Sequence, residues 1–168
     1  FAQAVVDYTE AIKLDPKNAD AYFNKAFSHG QLGQHDLAIT DFSNAILLDS
    51  AIVDAYSNRG AEYRILGQYD LAIKDYDQSL VLQPKDAVTL ANRGIAYVSK
   101  GENERALEDF NQAISIDAGL GIAYANRALI LAYDGMEEEA RDDAERAIAL
   151  GMDRTVMEEN LELNLLHQ

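Results

Sequence analysis

Cysteine is absent from the 168 residues, so neither a disulfide framework nor a thiolate metal site can be built. Cations are scarce as well: 14 Lys and Arg stand against 29 Asp and Glu, a formal net charge of −15. That balance argues against a nucleic-acid binder, because phosphate recognition wants Lys and Arg, and equally against an anionic membrane surface. No apolar run approaches the roughly 20 residues of a membrane span, so no membrane insertion is expected. The opening FAQAVVDYTEAIKLDP lacks the basic segment and apolar stretch of a signal peptide. It also lacks an initiator Met, so the chain is expected to be a fragment of something longer, in a cytoplasmic setting. No N-x-S/T acceptor occurs.

What the chain has in abundance is itself. Gly33, Gly67, Gly101 and Gly135 are 34 residues apart, and so are Ala38, Ala72, Ala106 and Ala140. Self-similarity at such a period marks a stacked repeat architecture. The step defines four units, 19–52, 53–86, 87–120 and 121–154, preceded by half a unit at 1–18. Each unit reads as two helices. The first stops at the glycine column, as helix C-termini commonly do. The second ends near Pro16 and Pro84 in the two copies that carry proline. Small columns such as Ala26, Ala38 and Ala45 let two antiparallel helices approach, and the Tyr22, Phe42 and Ile46 columns fill the space beside them. Strand periodicity is lacking, so the expected fold is all-α.

The stretch NRGAEYRILGQYDLAIKDY, Asn58 to Tyr76, with its near copy from Asn92, resembles the tetratricopeptide repeat. That family implies a right-handed α-solenoid, a superhelix of antiparallel helix pairs whose first helices line a concave side. The resemblance covers almost the whole chain as one repeat domain, 1–168. Residues 155–168 depart from it: Glu158 stands where an aromatic belongs and Glu162 where a small residue belongs. We expect a capping helix there, since a terminal repeat needs a polar outer face.

A second departure carries charge. Lys25, Arg59, Arg93 and Arg127 occupy a column where the family more often has Leu, while Asp41, Asp75, Asp109 and Asp143, joined by Asp7, always supply an acid. The two columns are either solvated faces or a partly buried ion-pair ladder, and the ladder is the expectation. Pairs could close within a unit or between one unit's Asp and the next unit's cation. The second arrangement is favoured, because the first leaves Asp7 alone. Fixing the register between repeats is the expected role, since desolvation offsets much of such a pair's attraction.

Chemistry finds little to use. His29, His35 and His167 share no column and no metal-ligand spacing, so no metal site and no cofactor is expected. His29 stands in the column of Tyr63 and Tyr97, which suggests packing. HGQLG has no preceding strand and no basic residue after it, so it is no phosphate loop. The chain is therefore expected to be non-catalytic.

By the resemblance, the inward columns hold Asn24, Asn58, Asn92 and Asn126. An amide side chain carries donors and an acceptor, so a row of them can pair with the backbone of an extended peptide. The row is similar to the asparagine ladders of glycosyltransferase repeat arms. Asn is a poor helix former, and four mid-helix copies cost stability that Ala would not. Beside the row the resemblance places Phe23, Phe27, Ala61, Ile65, Ile95, Leu129 and Tyr133. Chaperone-tail binders of this family carry a carboxylate clamp with Lys in the Phe23 column and Asn in the Phe27 column. Here neither column holds a cation. The expected function is a protein-interaction scaffold that binds a partner protein or peptide. The alternatives are a substrate-recruiting arm of a larger enzyme and a homo-oligomer joined through terminal helices.

Overall fold

In a computed structural model, which describes residues 1–165, the chain forms helices joined by short turns, with no strand among the described residues. Residues 166–168 of the expected cap, including His167, lie outside them. The helices are α1 (Ala2–Leu14), α2 (Ala19–Gln31), α3 (His35–Leu48), α4 (Val53–Ile65), α5 (Tyr69–Leu82), α6 (Ala87–Lys100), α7 (Asn103–Ile116), α8 (Gly121–Tyr133), α9 (Glu137–Ala149) and α10 (Arg154–Leu165). They fall into two compact units, Phe1–Pro84 and Lys85–Gln168.

Local chemistry sets where each helix starts and stops. Gly33, Gly67, Gly101 and Gly135 take φ between 70° and 80°, a left-handed conformation that costs other residues because of their Cβ. The residue after each glycine closes a six-residue loop onto the preceding helix, as in Gln68 N–H to the Tyr63 carbonyl at 2.8 Å. This is the Schellman pattern that satisfies orphan carbonyls. At the start of α2 the Asn18 side chain accepts from Ala21 N–H at 2.9 Å, and Asp86 does the same for Val88 and Thr89 at α6. Asp15, Asp49 and Asp117 each accept from the N–H two residues on, folding the turn between one repeat and the next.

In the first unit α2 pairs with α3 and α4 with α5, while α1 packs on α2 and α3 on α4. Its core gathers Ala26, Ala38, Phe42 and Ala55, flanked by Phe23, Ile46 and Ile52. In the second unit α6 pairs with α7 and α8 with α9, and α10 lies on α8 and α9. There Ala125, Ala128, Ala132, Ala140, Ala144 and Ala147 pack with Met157 and Leu161 of α10. Glu158, Glu159 and Glu162 of α10 stay exposed.

The helices approach closely because one side is stripped of bulk. A β-carbon on Gly60 would come 2.9 Å from Tyr76 Cε1, and one on Gly94 would come 2.7 Å from Phe110 Cε1. Both rings are fully buried, and each contributes about 1.5–3 kcal/mol by leaving water.

Candidate interaction site

The charged columns meet, and they meet inside each repeat. Lys25 Nζ lies 3.2 Å from Asp41 Oδ1. Arg59 binds Asp75 through two nitrogens at 2.7 Å each; Arg93 holds Asp109 and Arg127 holds Asp143 in the same two-pronged way. Pairing between one unit's Asp and the next unit's cation, the arrangement favoured from sequence, is not adopted. Sixteen residues separate each pair across the glycine turn, which folds the second helix back against the first. Asp7 instead accepts from the Gln3 amide at 2.8 Å on its own helix.

The remaining guanidinium nitrogen reaches backwards. Arg59 Nη1 donates to Ser43 Oγ at 2.9 Å, and Arg127 Nη1 donates to Asn111 Oδ1 at 2.6 Å. Each contact ties a first helix to the second helix of the preceding repeat through a neutral acceptor. Tyrosine faces flank these cations: Arg59 lies 5.9 Å from the Tyr56 and Tyr63 rings and Arg127 5.6 Å from Tyr124, within cation–π reach. Hydrogen bonds to Asp75 and Asp143 raise the pKa of Arg59 and Arg127 above the ordinary arginine value, against the opposing effect of burial.

The first repeat builds the position differently. Lys25 replaces Arg, and His29 fills the tyrosine column. His29 is buried, with Nδ1 2.6 Å from Gln34 Oε1 and Nε2 3.6 Å from Asp41 Oδ2. His35 bridges repeats, its Nδ1 2.6 Å from Glu62 Oε2.

The asparagine column is half-buried along the first helices. Asn24 Nδ2 donates to the Asp20 carbonyl at 2.8 Å, Asn58 to Asp54 at 2.7 Å and Asn126 to Ile122 at 2.8 Å. One donor of each is thus committed to its own helix, four residues back. The full set of amide groups expected from sequence is therefore not on offer. Among the described residues, the Oδ1 acceptors of these three side chains have no intramolecular donor, nor does the Asn92 amide hydrogen-bond within the chain.

The apolar members of the column set divide. Phe23, expected on the groove wall, packs edge-on against Phe42 with ring centroids 5.6 Å apart and belongs to the core margin. Phe27 is exposed and meets Phe1 edge-on at 6.3 Å. Ile65 and Tyr133 are 54% and 59% exposed, enough to meet a ligand. Ala61, Ile95 and Leu129 are half-buried. Sequence reasoning missed Val88 and Ile122, both exposed in the first turns of α6 and α8. They occupy the column of Asp20 and Asp54, so the 34-residue step contained the signal. On these columns the first unit presents acids and the second presents aliphatic side chains.

No group of three potential metal-binding side chains occurs among the described residues, and none of their helices is long and apolar enough to cross a membrane.

Stacked helical hairpins with a 34-residue step define a class of repeat scaffold. Tetratricopeptide-repeat sequence profiles match residues 1–33, 19–52, 53–86 and 87–119. The chain belongs to the tetratricopeptide repeat family, an all-α solenoid fold that serves as a protein-interaction scaffold. No curated protein matches the sequence. Among solved structures, MamA residues 41 to the end from Desulfovibrio magneticus RS-1 is similar, with a TM-score of 0.82 at 18% identity over 89% of this chain and 84% of that one. Pseudomonas aeruginosa pilF gives 0.85 at 20% identity over 93% and 71%. The first such repeat domain of Spaghetti (RPAP3), bound to the HSP90 peptide SRMEEVD, gives 0.66 at 20% identity over 69% and 92%.

Proposed function

We propose that this protein is a non-catalytic scaffold whose first helices bind a segment of a partner polypeptide. In each unit a pair of asparagines serves as the hydrogen-bonding element, Asn24 with Asn58 and Asn92 with Asn126. The observation that supports this reading is the back-bond of Asn24, Asn58 and Asn126. By donating one N–H to its own helix, each side chain is restrained in a single orientation while its acceptor stays uncommitted. Restraint before binding lowers the ordering cost that a ligand must overcome. Ile65 in the first unit and Tyr133 in the second supply apolar contact beside the amides.

The ligand differs in kind from the acidic peptide in the Spaghetti complex. Here the column of Phe23, Ser57, Ala91 and Ala125 and the column of Phe27, Ala61, Ile95 and Leu129 hold no cation. A carboxylate-rich tail finds no counter-charge there, and Asp20 and Asp54 repel it.

A photo-crosslinking residue at Ile65 tests the proposal in extracts of the source cells. A captured polypeptide should be lost from the Asn24→Ala/Asn58→Ala variant, whose thermal midpoint stays unchanged or rises. Undiminished capture by that variant, or a large fall in its stability, would overturn the assignment.

A further inference from the structure

The turn that joins the two helices of a repeat is built differently in the third repeat and the fourth. In the third, Lys100 Nζ and Arg105 Nη1 lie 2.6 Å and 2.7 Å from the two oxygens of Glu102. Arg105 also donates to the Tyr97 hydroxyl, and its guanidinium carbon lies 4.1 Å from the centroid of that ring. One repeat later the columns of Tyr97, Lys100, Glu102 and Arg105 read Leu131, Asp134, Met136 and Glu139. Both cations are replaced by acids, the acid they shared by a methionine, and the ring by a leucine.

Those four residues, with Leu107 and Asp142, line one cavity of about 480 Å³ between α7, α8 and α9, within the range of about 300–1,000 Å³ found for ligand clefts. Leu107 and Leu131 are half-buried, Met136 is exposed beside them, and the exposed Asp134, Glu139 and Asp142 form an acidic rim. No internal cation answers that rim. Arg127, which reaches the cavity, is held by Asp143 and Asn111, and Arg141 lies beside Glu137. Among the described residues Asp134, Glu139 and Asp142 form no ion pair.

We propose that this groove of the fourth repeat docks an arginine side chain, with an adjoining apolar residue, from a partner polypeptide. The surface shares no residue with the asparagine columns, and the inference does not depend on them. Charge complementarity selects a cation, and the third repeat shows which kind the position accepts: there the chain's own guanidinium bridges a hydroxyl and a carboxylate. A planar fork engages two carboxylates at once and sheds its weakly held water more readily than an ammonium. The alkyl stem lies along Leu131 and Met136, whose flexible thioether adapts to the contour. Three of the six walls are apolar, and covering them rewards a polypeptide segment where a bare cation would gain nothing.

The probe is the peptide acetyl-GSLRLSG-amide, titrated into the isotope-labelled 168-residue chain and followed by heteronuclear NMR. Saturable shifts are expected at the amides of Leu131, Asp134, Met136 and Glu139. Half-saturation should need about 10-fold more peptide in Asp134→Asn/Glu139→Gln, or when citrulline replaces the arginine. Leu131→Tyr/Glu139→Arg rebuilds the third repeat's stacked pair inside the groove and should abolish saturation while the thermal midpoint holds.

No saturable shift at these amides, or saturation that survives the rebuilt groove, would overturn the proposal. Should the larger ring not be accommodated, Asp134→Asn/Glu139→Gln, confined to exposed side chains, decides alone: unchanged affinity there overturns it. Equal binding of the citrulline peptide would do the same, since the groove would then be merely apolar. Spermidine saturating the same amides at lower concentration than the peptide would overturn it in favour of a small polyamine. A concentration-dependent dimer in sedimentation that the rebuilt groove abolishes would do so in favour of a second copy.

Discussion

Tyr76 leaves no room for a side chain at Gly60: a β-carbon there would sit 2.9 Å from Tyr76 Cε1 and 3.2 Å from the Ala72 carbonyl oxygen. Gly to Ala in a helix interior ordinarily gains about 1 kcal/mol, whereas overpacking a tight contact costs about 1–3 kcal/mol. Gly60→Ala is therefore expected to lower stability by about 1 kcal/mol net in urea unfolding. A rise in the midpoint would show that the ring yields.

The Tyr76 hydroxyl is buried and makes no hydrogen bond among the described residues. Burial pushes its pKa up to about 12 from 10, against the pull of the nearby Arg64 guanidinium. The folded chain thus keeps this proton through a range in which the unfolded chain releases it. Stability should fall between pH 10 and pH 12, by about 2–3 kcal/mol from this group. Tyr76→Phe, the residue type at Phe42 and Phe110, should equal or exceed the parent at neutral pH and lose that part of the alkaline decline. Matched denaturant titrations of the two proteins at pH 8 and pH 11 provide the check.

Asp75→Ala strands a half-buried guanidinium, and a loss of about 3 kcal/mol is expected. The double replacement Arg59→Leu/Asp75→Leu removes both charges and should lie within about 1 kcal/mol of the parent. A double variant as weak as the single one would mean that the contact to Ser43, and not the ion pair, dominates.

Lys25 makes one contact of 3.2 Å where its counterparts make two shorter ones. Because the guanidinium fork matches a carboxylate and the ammonium does not, Lys25→Arg should raise stability by about 0.5–1 kcal/mol. A fall would indicate a clash with His29, whose ring shares Asp41.

At Gly101, φ is +76°. Nothing crowds the position, so Gly101→Ala isolates the backbone cost, about 1–2 kcal/mol. Thermal unfolding monitored by circular dichroism would measure it.

The helix pairs were legible because glycine turns and alanine contacts recur every 34 residues. The closure of the ion pairs was not, for a simple geometric reason. Arg59 lies 16 residues before Asp75 and 18 after Asp41, and the two intervals sum to the repeat length. Either pairing recurs with the same period, so periodicity cannot choose between them. Only the fold of the glycine turn does. Phe23 misled for a different reason: an aromatic at the margin between α2 and α3 can cover the core or face a ligand, and Phe42 was near enough to claim it. The back-bonds of Asn24, Asn58 and Asn126 follow from mid-helix geometry, which puts the carbonyl four residues earlier within reach of a short amide.

The internal closure of the ion pairs bears on how such a chain can change length. Arg59 and Arg127 each carry their counterion, Asp75 or Asp143, within their own 34-residue block and meet the preceding helix only through the uncharged Ser43 hydroxyl or Asn111 amide. Copying either block therefore copies a complete ion pair. Gene-level duplication of such a block delivers its buried acid already neutralised, whatever sequence comes to stand beside it.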